Sequence, residues 1–283
     1  MSLKPLLELP ANAALLEVPS NGSVLAVLEI KPSGKPIGVV QLVHGFTGSK
    51  EDFWDLAPLL AEAGYLVISH DHRGHNQSTH ADASTYTINQ IADDVIAVQD
   101  ALGIEKVHLL GHSFGGLVSR LAAIKYPNRF DSFTLFCTGP GPTKTVNRIA
   151  NLQQFMRGKT MLETWNSLRD NPDSEIAFGP SDSWPTHIFK RWTSTDPEAL
   201  MATVDMIVTE PDRTDELKNT GIKFHAVYGE FDDAWSPAEQ DVVAARLGAP
   251  VSVITGCGHC PNEEDPVQTA KVLTSFWKSA ANS

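Results

Sequence analysis

Cysteine is scarce in this chain: three in 283 residues, an odd count that argues against a scaffold built on disulfides. Long apolar runs are missing as well. Nothing approaches the roughly 18 to 20 consecutive apolar residues that span a bilayer, so no membrane-crossing helix is expected. Positive charge is in short supply, with 22 Lys and Arg against 34 Asp and Glu and a net charge of -12. Such a chain repels phosphate backbones and anionic lipid surfaces, and neither nucleic acid nor membrane is expected as a partner. Glu8, Pro10, Asn12 and Glu17 interrupt the leucines of the first residues, and Lys4 alone makes a poor basic region, so no secretory leader is expected. Internal repeats, low-complexity tracts and Gly/Ser linkers are absent too. What is present is ample core material, 42% hydrophobic residues. The expectation is a soluble, cytoplasmic, globular protein.

Short apolar runs alternate with longer stretches of helical period, the pattern of a parallel sheet with crossover helices. Strands are expected at 24–30 and 37–43, joined through Lys31-Pro32-Ser33-Gly34, and then at 65–69, 107–110, 132–137, 222–228 and 251–254. Helices are expected at 52–62, 88–102, 114–126, 238–247 and 266–279; Asp265-Pro266 opens the last, since Asp caps and Pro suits the first turn. The stretch 140–220 is far too long for a crossover. It carries its own helical period at 146–156, 161–168, 188–192 and 199–208, and a structureless loop of that length would be out of place. We expect a helical insertion there, a cap on the ligand-binding side, with residues 1–139 and 221–283 forming the core domain.

The strongest local signal is Gly111-His112-Ser113-Phe114-Gly115-Gly116, placed between the apolar strand 107–110 and the amphipathic run 117–126. A serine in a sharp strand-to-helix turn projects its hydroxyl above the sheet edge, and small residues two before and two after let the strained backbone pass its neighbours. The helix start also aims N–H groups and the positive end of the dipole at developing negative charge. Serine needs a base to take its proton, and the base needs an acid to orient it. Both follow in order. Strand 222–228 ends in Gly229-Glu230-Phe231-Asp232-Asp233, and strand 251–254 ends in Gly256-Cys257-Gly258-His259. All three groups then fall at the carboxyl edge of a parallel sheet, where such sheets bind ligands.

With these residues the chain resembles the α/β-hydrolase fold family over roughly residues 20 to 280, whose members carry Ser, Asp and His in this order. His44-Gly45-Phe46 and Asp71-His72-Arg73-Gly74-His75-Asn76-Gln77-Ser78 match further family features. The resemblance implies a mostly parallel, eight-stranded-type sheet with helices on both faces, and a triad of Ser113, Asp232 and His259. It also implies an oxyanion hole made by the backbone N–H groups of Phe46 and Phe114. Asn76 stands where the family has a second Gly, a position compatible with the left-handed region that Asn tolerates. In the acid loop, Pro237 lies four residues after Asp233 but five after Asp232, whereas distance from Gly229 favours Asp232. We assign Asp232, with Asp233 as the alternative.

Other clusters are weighed against plainer readings. His70, His72, His75 and His80 crowd one stretch but lack the spaced ligands of a metallo-hydrolase, so no metal and no cofactor are expected. Cys257 and Cys260 are read as two thiols flanking the histidine loop, because the third cysteine, Cys137, lies inside a strand. Phe155, Met156, Trp165, Trp184, Phe189 and Trp192 give the insertion an apolar character; they pack the cap against the core or line a pocket, for which His44, Trp165 and Trp192 are the candidates. Arg157 and Arg191 are expected on the solvated surface, with binding of a substrate carboxylate as the alternative. The expected activity is hydrolysis of a carboxylic ester of a small, apolar molecule through an acyl-enzyme. Carbon–carbon hydrolysis of meta-cleavage type, or a small-molecule receptor that retains the triad, is the alternative.

Overall fold

The computed structural model describes residues 9–142, 146–169 and 186–281. Its eight strands are β1 (Ala13–Ser20), β2 (Ser23–Ile30), β3 (Gly38–Val43), β4 (Tyr65–His70), β5 (Val107–His112), β6 (Phe130–Phe136), β7 (Lys223–Gly229) and β8 (Val251–Ile254). They form one sheet in the order β1-β2-β4-β3-β5-β6-β7-β8. From β4 to β8 every pairing is parallel, while β1 and β2 join antiparallel at one edge. The strand side chains alternate between two cores. On one face Leu109, Phe133 and Leu135 meet α2 (Ile88–Ala101), α3 (Phe114–Lys125) and α9 (Pro237–Leu247). On the other, Val40, Leu42 and Leu110 meet α1 (Ala57–Glu62) and α11 (Pro266–Ala281), where Leu273 and Trp277 are fully buried. A sheet covered on both faces needs apolar residues at successive positions of its central strands, which is why β5 is buried throughout.

Between β6 and β7 lie α4 (Val146–Met156), α5 (Met161–Arg169), α6 (Thr186–Ser194), α7 (Pro197–Thr209) and α8 (Thr214–Lys218). Leu152, Met156, Met161, Trp165, Ile188, Trp192 and Leu200 make a separate apolar cluster with Phe46 and Phe155 against it. The buried guanidinium of Arg120 on α3 donates to the carbonyls of Pro140 and Pro211, tying the start and end of this helical segment together. Trp184 lies outside the described residues. Among those described, no helix is long and apolar enough to cross a membrane.

Three expectations change. The chain before residue 24 contributes β1, paired with β2 in full register through the turn Asn21-Gly22, both at positive φ. An Asn-Gly pair between half-buried runs is a hairpin signal with a mechanism, since such a turn needs φ > 0 twice. Next, β2 and β3 are not neighbours: β4 comes in between, antiparallel to β2 and parallel to β3. The helix expected over 52–62 is two pieces, a 3₁₀ turn at Lys50–Phe53 and then α1. Asp52 accepts the Ser49 N–H, and Pro58 restarts the helix within its first turn. Asn76 does occupy the left-handed region, at φ 49°.

Candidate active site

The serine turn follows from two close backbone approaches. A Cβ at Gly115 would stand 2.3 Å from the Val43 carbonyl oxygen, and one at Gly111 would stand 2.5 Å from the Gly115 carbonyl oxygen. Neither position has room for a side chain. Ser113, between β5 and α3, adopts φ 56° and ψ -120°, a conformation that costs roughly 1–3 kcal/mol and persists only where the surroundings impose it. Here they do: the Ser113 N–H donates to the Phe136 carbonyl at 3.0 Å, and the Thr138 hydroxyl donates to the Ser113 carbonyl at 2.8 Å.

The two downstream loops converge on this turn. Asp232 follows β7, its N–H bonded back to the Gly229 carbonyl, and its side chain is wholly buried. His259 Nδ1 donates to Asp232 Oδ1 at 2.8 Å, and His259 Nε2 accepts from Ser113 Oγ at 3.0 Å. Asp233 is exposed and Asp232 is the carboxylate that meets the imidazole. Burial alone pushes the Asp232 carboxyl up, but the His259 hydrogen bond and charge, the Gln240 amide and the Ala234 N–H together hold it below the ordinary value.

The loop after β3 packs against the same turn. A Cβ at Gly45 would lie 3.0 Å from Ser113 Cβ, so the backbone carrying Phe46 passes directly beside the serine. Phe114 is the first residue of α3, and an N–H at that position has no partner four residues back. The polypeptide therefore brings a hydroxyl, an imidazole and a carboxylate into series, beside a helix start and a glycine loop.

The model of the alpha/beta hydrolase fold family matches residues 38–195, more than half of the chain. The chain belongs to the alpha/beta hydrolase fold family. A Bacillus subtilis protein assigned as a 2-succinyl-6-hydroxy-2,4-cyclohexadiene-1-carboxylate synthase is 24% identical over 274 residues, 92% of this hydrolase and 97% of the relative. A Caulobacter vibrioides protein assigned as the carbamate hydrolase RutD is 36% identical over 135 residues, 47% of this chain and 50% of the relative. Among solved structures, a carboxylesterase of the thaumarchaeon Nitrososphaera gargenis superposes with a TM-score of 0.78 at 21% identity, covering 95% of this chain and 99% of that one. An esterase from Thermogutta terrifontis gives 0.74 at 23% identity, covering 94% and 99%. Identities this low show the shared fold.

Several groups that sequence reasoning passed over hold the site of this hydrolase in place. His112 Nε2 donates to the His259 carbonyl at 2.9 Å, since a carbonyl only accepts. Burial, and the nearby His259, push the His112 imidazole down to about 3, so it stays neutral. Glu264 takes the N–H groups of Gly258 and Cys260, at 2.6 and 2.9 Å, and so fixes the loop on both sides of His259. Gln240 reaches Asp232 from α9 at 2.8 Å. Sequence gives no usable signal for these: His112 adjoins Ser113, but Glu264 stands five residues after His259 and Gln240 eight after Asp232, at spacings that do not tell which polar residue folds back.

His44, expected at the pocket, is fully buried behind the glycine loop. Its Nδ1 donates to the Gly45 carbonyl and its Nε2 accepts the His72 N–H, so it braces the loop. Trp165 and Trp192 are buried in the apolar cluster of the helical segment, with ring centroids 6.5 Å apart, and Phe46 packs against that cluster. Arg157 is exposed, as expected, but Arg191 is not: it binds Asp52 at 2.6 Å and pins α6 to the core. His70, His72 and His75 are buried in contact around His44, while His80 is exposed. Among the described residues, His112, Cys137 and His259 are near enough to share a metal ion. Both nitrogens of His259 are already engaged by Ser113 and Asp232, so a metal there would have to break the series of hydrogen bonds.

Proposed function

We propose that this hydrolase cleaves a carboxylic ester of a small, apolar molecule through an acyl-enzyme, with Ser113 as nucleophile, His259 as base and Asp232 as its orienting acid. The observation that carries the reading is the continuous series Ser113 Oγ to His259 Nε2, 3.0 Å, and His259 Nδ1 to Asp232 Oδ1, 2.8 Å. Ser113 Oγ attacks the ester carbonyl carbon as its proton passes to His259 Nε2, and the buried carboxylate offsets the imidazolium charge. The N–H groups of Phe46 and Phe114 receive the oxyanion. Collapse of the tetrahedral intermediate expels the alcohol, which takes the proton from His259. Water, deprotonated by His259, then attacks the acyl carbon and frees the acid and Ser113.

The substrate class rests on two supports. The structural neighbours named above are esterases, and the apolar cluster of Trp165, Trp192 and their neighbours meets Phe46 at the serine. On this reading residues 140–220 are a cap over the core formed by 1–139 and 221–283. A second reading, chemistry at a carbon–carbon bond, draws on the end-to-end match to the Bacillus subtilis protein assigned as a carbocycle synthase.

A fluorophosphonate probe tests the core of the proposal, since it reports an activated serine without knowledge of the substrate. Labelling of the wild type, lost in Ser113→Ala together with about three to six orders of magnitude of turnover, is the expected result. A loss under tenfold would remove Ser113 from its role. Saturable hydrolysis of p-nitrophenyl esters, followed across chain length, separates ester from carbon–carbon chemistry.

A further inference from the structure

We infer that Gln240 is a positioning residue for the acid of this site, its amide holding one oxygen of Asp232 so that the other is presented to His259. The inference rests on the hydrolytic reading above and adds a fourth member to it.

The carboxylate of Asp232 has a division of labour between its oxygens. Oδ1 accepts from His259 Nδ1 at 2.8 Å and from the Ala234 N–H at 3.0 Å. Oδ2 accepts from Gln240 Nε2 at 2.8 Å. The same amide nitrogen donates to the Trp235 carbonyl at 2.8 Å. Both partners of that nitrogen only accept, so the amide has one sensible orientation: turned over, its oxygen would face two acceptors. Gln240 is 2% exposed and sits in the first turns of α9, whose start is fixed by Pro237 and by Glu239 bonded back to Ser236. The donor is therefore held rigidly on a helix, and the carboxylate cannot rotate about its Cβ–Cγ bond without losing it.

A neutral donor suits this place. A Lys or Arg in reach of Oδ2 would pair with Asp232 and oppose the positive charge that His259 must acquire as it takes the serine proton. An amide fixes the geometry and leaves the negative charge available to the imidazole. The Cys137 thiol, a weaker donor, lies against the same carboxylate and does not replace the amide.

The test uses the whole enzyme and two variants. Gln240→Leu removes the donor, and Gln240→Glu keeps the shape but carries its donor proton only at low pH. Each is followed by the fluorophosphonate labelling rate constant, by kcat and KM for a p-nitrophenyl ester from pH 5 to 9, and by thermal melting. For Gln240→Leu the expected result is a fall of about 10- to 100-fold in labelling and kcat, by analogy with the loss of a hydrogen-bond partner behind a metal-ligating side chain, with KM within about twofold. For Gln240→Glu the deficit should be small at acid pH and grow as pH rises, as two carboxylates come to face each other. Labelling of folded Gln240→Leu within about threefold of wild type would overturn the inference. A Gln240→Glu deficit that is constant with pH and follows a lowered melting temperature would overturn it too, leaving a structural role; this variant decides the matter if Gln240→Leu does not fold. A wild type that does not label at all brings down the hydrolytic reading first, and this inference with it.

Discussion

Replacing His70 by Leu should remove a defined part of the acid sensitivity of this protein. His70 ends β4, is fully buried, and neither ring nitrogen has a hydrogen-bond partner among the described residues. Burial pushes its imidazole down from 6.5 to about 4. The unfolded chain therefore binds a proton at this residue below about pH 6.5 that the folded state does not take up until about pH 4. Stability from this group is full above the unfolded value and is lost as pH falls through that window. The total is about 3 kcal/mol, and about 2 kcal/mol of it has gone by pH 5. Against a typical net stability of about 5–15 kcal/mol, that is a measurable share. The assay is urea unfolding at pH 7 and pH 5. With a slope of about 3 kcal/mol per M, the wild-type midpoint should drop by about 0.7 M more than that of His70→Leu between the two pH values. Neighbours that titrate in the same range, His75 among them at about 4, remain in both proteins and cancel in the comparison. Equal drops in the two proteins would refute the reasoning, whatever the absolute stability of the variant.

Three further outcomes are expected. Asp232→Asn should lower kcat by about three to four orders of magnitude with the fold intact, because it leaves His259 in the wrong tautomer, whereas Asp233→Asn should retain wild-type kinetics; similar losses in both would undo the assignment of the acid. Gly115→Ala should cost about 1–3 kcal/mol by overpacking against the Val43 and His44 carbonyls and slow probe labelling, while Gly34→Ala, with open space around it, should melt like wild type. Arg191→Ala should leave Asp52 without its partner beside Glu263, whose carboxyl burial and Asp52 push up to about 7. The urea midpoint at pH 8 should then fall more than at pH 6, where protonation relieves the repulsion; a uniform fall would show that Glu263 and Asp52 do not repel each other once Arg191 is gone.

The parallel core was legible because its signals are local. Apolar runs of strand length, capped helices and a serine between two glycines each depend on a few adjacent residues, and the strands and helices from Tyr65 onward lie close to where the pattern puts them. Where the reading missed, the competing effect was also local but weaker. The Asn21-Gly22 turn marked β1 without a strong apolar run beside it, and the Asp52 to Glu62 stretch hid a break at residues 54–56, just ahead of Pro58.

What the sequence by itself determined was the set of candidate groups, Ser113, Asp232 and His259, and their order along the chain, since strand ends are fixed by hydrophobic pattern and a parallel sheet places those ends on one edge. Which of two adjacent aspartates turns inward, that His44 braces a loop, that Arg191 is drawn out of solvent by Asp52, and that Gln240, Glu264 and His112 hold the site were decided only by the tertiary structure. The physical reason is that these choices depend on which distant backbone comes within hydrogen-bond reach, and side-chain satisfaction in a packed interior has no one-dimensional signature.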